Sequence, residues 1–291
     1  MAGDGLTRTR FAPSPTGLLH LGHAFAALTA ARLADPGEFL LRIEDIDRDR
    51  CRAAFEAAIF QDLRWLGLDW PVPVMRQSER MPAYAQSLAG LDAMGLLYPC
   101  GCRRGDIRAA LSAPQEGASV MGPDGLVYPG TCRGRRMAEA GPEDAIRLNA
   151  DRALAVTGAL AFMDKGLRHE LSTESFISGI GDVILARRGW GTSYHLAVTV
   201  DDAAQGITLV TRGADLFEAT WIHVLLQQLL ELPTPSYWHH ILIRDDEGRR
   251  LAKRDDARSL RELRDAGATP SKIRQMIGFD NSTSAPSRTA V

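Results

Sequence analysis

Residues 10–23, with the sequence RFAPSPTGLLHLGH, decide the fold of the first half of the chain. An extended piece passes through a Pro-Thr-Gly turn into an apolar run at residues 18–34, for which we predict a helix. His20 and His23 are three residues apart, so both lie on one face of its first turn. A helix start leaves backbone N–H groups unpaired and carries about half a positive charge. This stretch therefore predicts a phosphate-binding site.

Gly17 and Gly22 lack a Cβ, so a ligand can approach the backbone closely here. Two alternative roles remain open for the histidines. They could form half of a zinc site, although no acidic or cysteine ligand follows at helical spacing. They could also be ordinary helix-cap residues.

A buried strand is predicted at residues 38–43, EFLLRI, after an Asp-Pro-Gly turn. Strand, turn, helix and strand form a βαβ start, which favours a parallel α/β sheet. Ligands of such sheets bind at the carboxyl ends of the strands. Glu44, Asp45 and Asp47 follow the second strand, so we expect them to face the same cleft as the histidines. Taken alone, such an acidic cluster is more often a solvated loop or a helix cap.

The composition is that of an ordinary globular protein. The chain has 291 residues, 45% of them hydrophobic and 24% charged, and this length allows a sizeable core and up to two domains. The net charge of −2 means that any RNA contact must come from local patches. We see neither an apolar run of membrane-span length nor a signal peptide nor a secreted disulfide framework, so we expect a cytoplasmic protein.

Three of the four cysteines fall in one window, namely Cys100, Cys102 and Cys132. Thiolates grouped in this way in a cytosolic protein indicate structural zinc more than a disulfide. The alternative is a set of reduced, packed cysteines. A zinc site built on three cysteines needs a fourth ligand.

The stretch RFAPSPTGxLHLGH resembles the "HIGH" signature of class I aminoacyl-tRNA synthetases, in the form used by glutamyl-tRNA synthetases, with HLGH at residues 20–23. Residues 251–255, LAKRD, resemble the second signature of that class, KMSKS. The first lysine and the serine of KMSKS are absent, and Lys253 matches its second lysine. The resemblance extends from residue 8 to near residue 278. It implies an α/β fold, a Rossmann-like parallel-sheet catalytic domain.

The resemblance also implies roles for individual residues. His20, His23 and Lys253 would be catalytic, and together with Gly22 they would bind ATP. The glutamate site would consist of Arg10, Phe11, Ala12, Pro13, Ser14, Glu44, Tyr194 and Arg212. Within it, Glu44 would hold the amino group, and the two arginines would form charge-assisted pairs with the side-chain carboxylate. Mg²⁺ would accompany ATP, and we identify no protein ligand for it.

Within this class, the glutamyl-Q tRNA(Asp) synthetases have a CxC…YxxxC zinc site, which Cys100, Cys102, Tyr128 and Cys132 match. The resemblance implies one structural Zn²⁺, with water or His169 as the alternative to the tyrosine. Glutamyl-tRNA synthetases continue into a helical domain that reads the anticodon. Too few residues follow the LAKRD stretch for a further domain of typical size, so we expect no anticodon-binding domain.

That family activates L-glutamate with ATP in the absence of tRNA. It then transfers the glutamate to queuosine, the modified wobble base in the anticodon stem-loop of tRNA(Asp). A carboxylate attacks the α-phosphorus of ATP, so positioning and charge stabilisation must do most of the work. One alternative is a short glutamyl-tRNA synthetase that charges a tRNA 3′ end, against which the CxC…YxxxC set argues. The other is a non-catalytic nucleotide- or RNA-binding relic, which the altered LAKRD loop favours and the intact HLGH argues against.

The expected organisation places the two halves of the catalytic domain at residues 1–97 and 191–240. Residues 98–190 would form an inserted α+β subdomain that contains the zinc site. Residues 241–280 would carry the KMSKS-like loop and short stem-contact helices, and residues 281–291 a disordered tail. We expect a monomer with no membrane contact. The inserted region also contains arginines that could contact tRNA phosphates or could simply form a solvated face: Arg103, Arg104, Arg108, Arg133, Arg135 and Arg136.

Sequence patterns give three local predictions. A helix is expected at residues 78–94, with Ser78 as its cap, and residues 172–180 are expected to be rich in loop. Residues 193–202 are similar to the family's YxxAxxxDD segment, which we assign to the second half of the sheet. His239 and His240 carry no spacing signal, so we expect them to be structural.

Overall fold

The computed structural model describes residues 6–112, 121–243 and 258–279, and the first half of its main sheet is parallel, as the βαβ pattern predicts. The strands pair in the spatial order β1-β2-β3, and they are β1 (Thr7–Phe11), β2 (Gly37–Ile43) and β3 (Met75–Arg76). The helices of this half are α1 (Leu21–Ala34), α2 (Ala53–Trp65) and α3 (Met81–Ala93).

The next part of the chain builds small antiparallel units. Its elements are β4 (Leu97–Cys100), α4 (Arg104–Ser112), β5 (Met121–Gly122), β6 (Gly125–Leu126), β7 (Ala145–Leu148), α5 (Ala150–Thr157), β8 (Leu160–Asp164), β9 (Leu167–Leu171), α6 (Thr173–Gly179) and β10 (Ile184–Ala186). Strands β10, β7 and β4 form one antiparallel sheet, and β5 and β6 form a hairpin. Strand β8 departs from this pattern because it joins the main sheet, as described next.

The second half of the main sheet has the order β11-β12-β8-β9. It adds α7 (Tyr194–Ala204), β11 (Leu209–Gly213), α8 (Phe217–Leu229) and β12 (Ser236–His240). The backbone N–H of Thr208 donates to the carbonyl of Arg8 at 3.0 Å, which sets β11 beside β1. The carboxyl ends of β1, β2, β11 and β12 therefore meet along one edge. This arrangement confirms the Rossmann-like α/β prediction.

Two short helices, α9 (Leu260–Asp265) and α10 (Pro270–Met276), pack against the first half. Leu260 and Ile273 are fully buried in the same core as α1 and α2. Arg264 donates to Asp62 of α2 at 2.6 Å. The short C-terminal helices are thus tied to the half of the molecule that contains α1 and α2. No separate helical domain occurs among the described residues.

Three local predictions from the sequence are wrong. The Ser78 hydroxyl donates to Asp45 at 2.6 Å instead of capping a helix, and α3 begins only at Met81. Residues 172–180 contain helix α6, whose cap is Ser172, because a serine hydroxyl that accepts a backbone N–H at a helix start outweighs the loop-like composition. Residues 193–202 are helix and not sheet, since the Ser193 side chain caps α7 in the same way.

Two predicted segments lie outside the described residues, namely LAKRD at residues 251–255 and the tail at residues 281–291. No helix among the described residues is long and apolar enough to span a membrane.

Candidate active site

The start of α1 is built from the two predicted histidines. His20 is the N-cap, and its Nδ1 accepts the backbone N–H of Gly22 at 3.1 Å. The Nδ1 of His23 accepts the backbone N–H of His20 at 3.2 Å. Reciprocal capping of this kind ends the extended segment at His20, so the helix begins three residues later than its apolar pattern suggested. Because both Nδ1 atoms accept, each neutral ring carries its proton on Nε2.

A cleft of about 250 Å³ opens at the carboxyl ends of the parallel strands. It brings together most of the side chains that the sequence assigned to one site, namely Arg10, Phe11, Ala12, His20, Gly22, His23, Glu44, Tyr194 and Arg212. Pro13 and Ser14 do not line it. The Pro13 carbonyl instead accepts the backbone N–H of Glu44 at 3.1 Å, which joins the ends of β1 and β2, and Ser14 is exposed. Lys253 lies outside the described residues.

Sequence reasoning missed several residues that line the cleft, among them Gly213 and His240. A Cβ at position 213 would lie 2.4 Å from Asp215 Oδ1 and 2.9 Å from Leu242 Cδ2, so a larger residue there would have to displace these two side chains. His240 ends β12, and its Nδ1 lies 2.9 Å from the carbonyl of Ile241. The rule that ligands bind at the carboxyl ends of parallel strands could have indicated it, although its neighbours carry no motif.

Beneath the cleft, two arginines and two carboxylates form a buried network. Arg10 binds Asp202 through two bonds of 2.9 and 3.1 Å and donates to the carbonyl of Thr211 at 3.1 Å. Arg42 donates to Asp202 at 2.7 Å and to Glu44 at 3.2 Å. These contacts fix the plane of the Arg10 guanidinium at the wall of the cleft, and they hold Glu44 from one side.

The two carboxylates of this network have opposite pKa shifts. Burial raises the pKa of Glu44, and the attraction of Arg42 and Arg10 only partly opposes it. Burial would also raise the pKa of Asp202, but its pairs with Arg10 and Arg42 outweigh that effect and lower it. Asp202 is therefore the carboxylate of the network that stays ionised most readily. Glu44 can still bind a further cation, because an additional positive charge would favour its ionised form.

Arg212 and Tyr194, which the sequence placed in one site, are in direct contact. The Arg212 guanidinium donates to Tyr194 Oη at 2.9 Å, to Thr220 Oγ1 at 3.2 Å, and to His223 Nδ1, which lies 3.0 Å away. Arg212 is only 6% exposed and lines the cleft. Burial and the positive charge of Arg212 lower the pKa of His223 well below its usual value. His223 is therefore neutral and acts as an acceptor for Arg212.

This buried imidazole predicts a pH dependence of stability. The unfolded chain takes up a proton near pH 6.5 at His223, whereas the folded chain does so only at lower pH. The unfolded state then binds more protons as the pH falls, so the stabilisation present above pH 6.5 is lost below it. Replacing His223 by Gln is expected to remove this contribution, which is about 1.4 kcal/mol per pH unit at most. Urea unfolding of both proteins at pH 7.5, 6.5 and 5.5 measures it. Parallel pH profiles would contradict the prediction.

The three clustered cysteines meet at one point. Their Sγ atoms lie within 4.8 Å of one another, and those of Cys102 and Cys132 are 3.6 Å apart. Tyr128 Oη lies 3.4 Å from the Sγ atoms of both Cys100 and Cys102. Thiolates bind Zn²⁺ at about 2.3 Å in a tetrahedron, and this geometry brings the sulfur atoms to separations similar to the distances between these Sγ atoms. The donor set is therefore compatible with zinc.

The pKa shifts within the cluster differ in direction: burial raises the pKa of Cys102 to about 11 and also raises that of Tyr128, whereas the pKa of Cys132 is lowered. Burial would raise the pKa of Cys132, but hydrogen bonds with Tyr128 and Cys102 outweigh it and lower the value to about 7. One ligand is thus already close to the thiolate form that a metal requires. His169, the alternative fourth ligand, instead stacks on Phe162 in the main sheet.

The six arginines that the sequence offered as possible contacts with tRNA phosphates divide into two groups. Arg133, Arg135 and Arg136 are paired with carboxylates, and the first two hold Asp182 and Asp144 at 2.6 and 2.8 Å. The others are exposed and lie at or in α4, namely Arg103, Arg104 and Arg108. Of these six arginines, the second group of three forms no salt bridge with a described residue.

Comparison with known proteins identifies the class to which this fold and cleft belong. The family model described as "tRNA synthetases class I (E and Q), catalytic domain" matches residues 7–281. The chain therefore belongs to this family of class I tRNA synthetases.

Within the class, the sequence is 58% identical over 280 residues to the glutamyl-Q tRNA(Asp) synthetase of Rhodobacter capsulatus, covering 93% of this chain and 99% of the relative. It is 42% identical to the enzyme of the same name from Nitratidesulfovibrio vulgaris, covering 92% and 84% of the two chains.

Solved structures with the same fold include a glutamate tRNA ligase from Elizabethkingia meningosepticum in complex with its amino acid. The TM-score is 0.66 at 27% identity, with 86% of this chain and 52% of that chain covered. The glutamate-tRNA synthetase of Elizabethkingia anophelis gives 0.66 at 26% identity, with 90% and 54% covered. The chain thus spans about half the length of these two structural neighbours.

Proposed function

We propose that this protein activates L-glutamate with ATP and transfers it to queuosine, the wobble base of tRNA(Asp). One observation carries the proposal. The cleft that joins the His20–His23 helix start to Glu44, Tyr194 and Arg212 occurs in a chain 58% identical to a glutamyl-Q tRNA(Asp) synthetase over nearly that protein's whole length.

Glutamate has three charged groups, and the cleft offers partners for two of them, the side-chain carboxylate and the amino group, while the α-carboxylate is the group that reacts with ATP. Arg212 is the buried cation proposed to bind the side-chain carboxylate, with Tyr194 holding one edge of the guanidinium. Glu44 is proposed to bind the amino group, and the new positive charge would offset the cost of burying its carboxylate. Glutamine would leave the buried arginine without an anionic partner. Discrimination of roughly 10⁴-fold is then attainable without editing.

Activation joins the substrate carboxylate to the α-phosphorus of ATP and releases pyrophosphate. The start of α1 supports this step, because the helix dipole places partial positive charge there and the Nε2–H groups of His20 and His23 are donors suited to phosphate oxygens. Gly22 would let the nucleotide approach the helix closely. Lys253 is proposed to add a positive charge from the LAKRD segment. Mg²⁺ bound with ATP would neutralise part of the phosphate charge.

We propose a division of labour in which residues 1–97 and 191–240 perform activation. Residues 98–190 would stabilise the surface that meets the RNA, and residues 241–280 would supply the LAKRD loop and the stem-contact helices. The exposed arginines of α4 would contact phosphates of the tRNA anticodon stem-loop, whose unstacked loop bases are accessible to a protein. We propose that a monomer binds the RNA in this way.

Measuring pyrophosphate exchange with glutamate, glutamine and aspartate in the absence of tRNA tests the first step. Exchange with glutamate alone is expected, and no exchange with any of them would favour a non-catalytic relic.

We further propose that Cys100, Cys102, Tyr128 and Cys132 hold one structural Zn²⁺. The purified protein is expected to contain about one zinc per chain. Cys132→Ser is expected to lose most of that metal and to melt at a lower temperature, because metal binding stabilises the folded state. The matched control is Cys51→Ser, since Cys51 lies outside the cluster. Elemental analysis after gel filtration measures the metal, and stoichiometric zinc in Cys132→Ser would contradict the assignment.

A further inference from the structure

A line of polar side chains connects Arg212 to the hairpin of the inserted region. The Nη1 of Arg212 lies 3.0 Å from His223 Nδ1, and His223 Nε2 lies 3.0 Å from His195 Nδ1. The Nε2 of His195 lies 3.1 Å from Oδ1 of Asp124, in the turn between β5 and β6. His195 and His223 are 5% and 4% exposed, so water does not compete with these contacts. The two ends of the line are a cation and an anion.

One set of proton positions satisfies every contact in the line. Arg212 can only donate, so His223 Nδ1 must accept and its proton must lie on Nε2. That proton is donated to His195 Nδ1, which leaves the proton of His195 on Nε2, facing the Asp124 carboxylate. If His195 took the other tautomer, two N–H groups would face each other between the rings. The carboxylate therefore selects the tautomer of His195, and His195 selects that of His223.

We propose that Asp124, His195 and His223 are positioning residues that hold the Arg212 guanidinium in the orientation needed to bind the substrate carboxylate. The inference rests on the proposed function, in which Arg212 binds glutamate. The low pKa of His223 supports it, since a protonated ring could not accept from Arg212. So does the low pKa of Asp124: burial would raise it, but the hydrogen bond from His195 outweighs that effect and lowers it.

A second line of contacts begins at the same Nη1 atom of Arg212. Arg212 donates to Thr220 Oγ1, which lies 2.9 Å from His239 Nε2, and His239 Nδ1 lies 3.0 Å from Asp164 Oδ1. This line ends within the main sheet, at β8. The line through Asp124 instead ends on a side chain that is 39% exposed in the inserted region. Changing Asp124 therefore tests the positioning role with little disturbance of the core.

Asp124→Ala is expected to raise KM for glutamate about tenfold, the effect of losing one well-placed hydrogen bond to a charged group. The KM for ATP and the melting temperature are expected to stay unchanged. Asp124→Asn can still accept from His195 through its amide oxygen, so it is expected to restore KM to within about threefold of the original protein. The matched control is Asp151→Ala, which removes another partly exposed carboxylate of the same region.

Pyrophosphate exchange gives these constants and separates the two possible failures. No exchange by the original protein would overturn the proposed function. Normal exchange by the original protein, with an unchanged KM for glutamate in Asp124→Ala, would overturn only the positioning role. A KM rise of equal size in Asp151→Ala would also overturn it, because the effect would then belong to the inserted region in general.

A spectroscopic measurement that needs no activity completes the test. Long-range ¹H–¹⁵N correlation of the histidine rings near pH 7.5 is expected to show the Nε2–H tautomer for His195 and His223. His239 serves as an internal contrast, because its Nδ1 faces a carboxylate and the Nδ1–H tautomer is expected. In Asp124→Ala, the Nε2–H of His195 loses its acceptor, so its ¹H and ¹⁵N signals are expected to shift while those of His239 stay in place. An Nδ1–H tautomer of His223 in the original protein would contradict the inference.

Discussion

Arg212→Ala is expected to lower kcat/KM for glutamate in pyrophosphate exchange by about 10³-fold or more. The substitution removes the buried cation proposed to bind the substrate carboxylate. It also leaves Tyr194, Thr220 and His223 without the donor that they share. An anionic side chain would then enter a largely buried site whose other arginine, Arg10, is already paired with Asp202, and such sites discriminate strongly because unpaired polar groups are costly. The KM for ATP is expected to change far less.

Two further variants give this prediction a sharp test. Tyr194→Phe removes only the hydroxyl that accepts from Arg212, so a loss of about tenfold is expected. The control is Arg168→Ala, which removes an exposed arginine of β9. Arg168 forms a surface salt bridge with Glu170 of the same strand, and the variant is expected to behave like the original protein. Activity of Arg212→Ala within threefold of the original value would show that another group binds the carboxylate.

His23→Ala is expected to lower kcat for exchange by about 10²- to 10³-fold, as is typical when one donor to a developing negative charge is removed. The KM for glutamate is expected to change little, since His23 lies at the helix start proposed to bind phosphate, whereas Arg212 is the residue proposed to bind the glutamate side chain. His23 also accepts the backbone N–H of His20, so its loss is expected to reduce stability by about 1 kcal/mol.

His23→Gln separates catalysis from helix capping. A glutamine oxygen at this position can still accept the His20 N–H, as in an ordinary capping box, so the melting temperature is expected to stay close to the original value. Its amide cannot reproduce the placement of the imidazole Nε2–H, so exchange is expected to remain slow. Recovery of full activity in His23→Gln would assign His23 to capping alone.

Local sequence patterns were sufficient where neighbouring residues carry the structure. The βαβ start, the histidine pair and the position of Glu44 after β2 all follow from contiguous residues. The contacts that hold the site together join residues far apart in the sequence, so local patterns do not predict them. Asp202 binds Arg10 and Arg42 across separations of 192 and 160 residues, and no periodicity indicates such a pair.

Two other features show where sequence patterns were misleading. Strand β8 lies within the region expected to be a separate insertion, yet it pairs in parallel with β12 of the main sheet. His223 lies in the apolar helix α8, where a histidine in a hydrophobic run gives no signal, and its role depends on Arg212 and His195 meeting it in space. The cysteine cluster was easier to predict, because Cys100 and Cys102 form a CxC motif and Cys132 follows only 30 residues after Cys102.

Transfer of labelled glutamate to tRNA(Asp) with and without queuosine tests the central claim most directly. We predict label only on the queuosine-containing tRNA, and we expect that removal of the 3′-terminal adenosine before the reaction leaves transfer intact. Label on the 3′ end of a glutamate tRNA would contradict the proposed function and support a short glutamyl-tRNA synthetase. Absence of label on both tRNAs, together with no pyrophosphate exchange, would contradict the catalytic assignment itself.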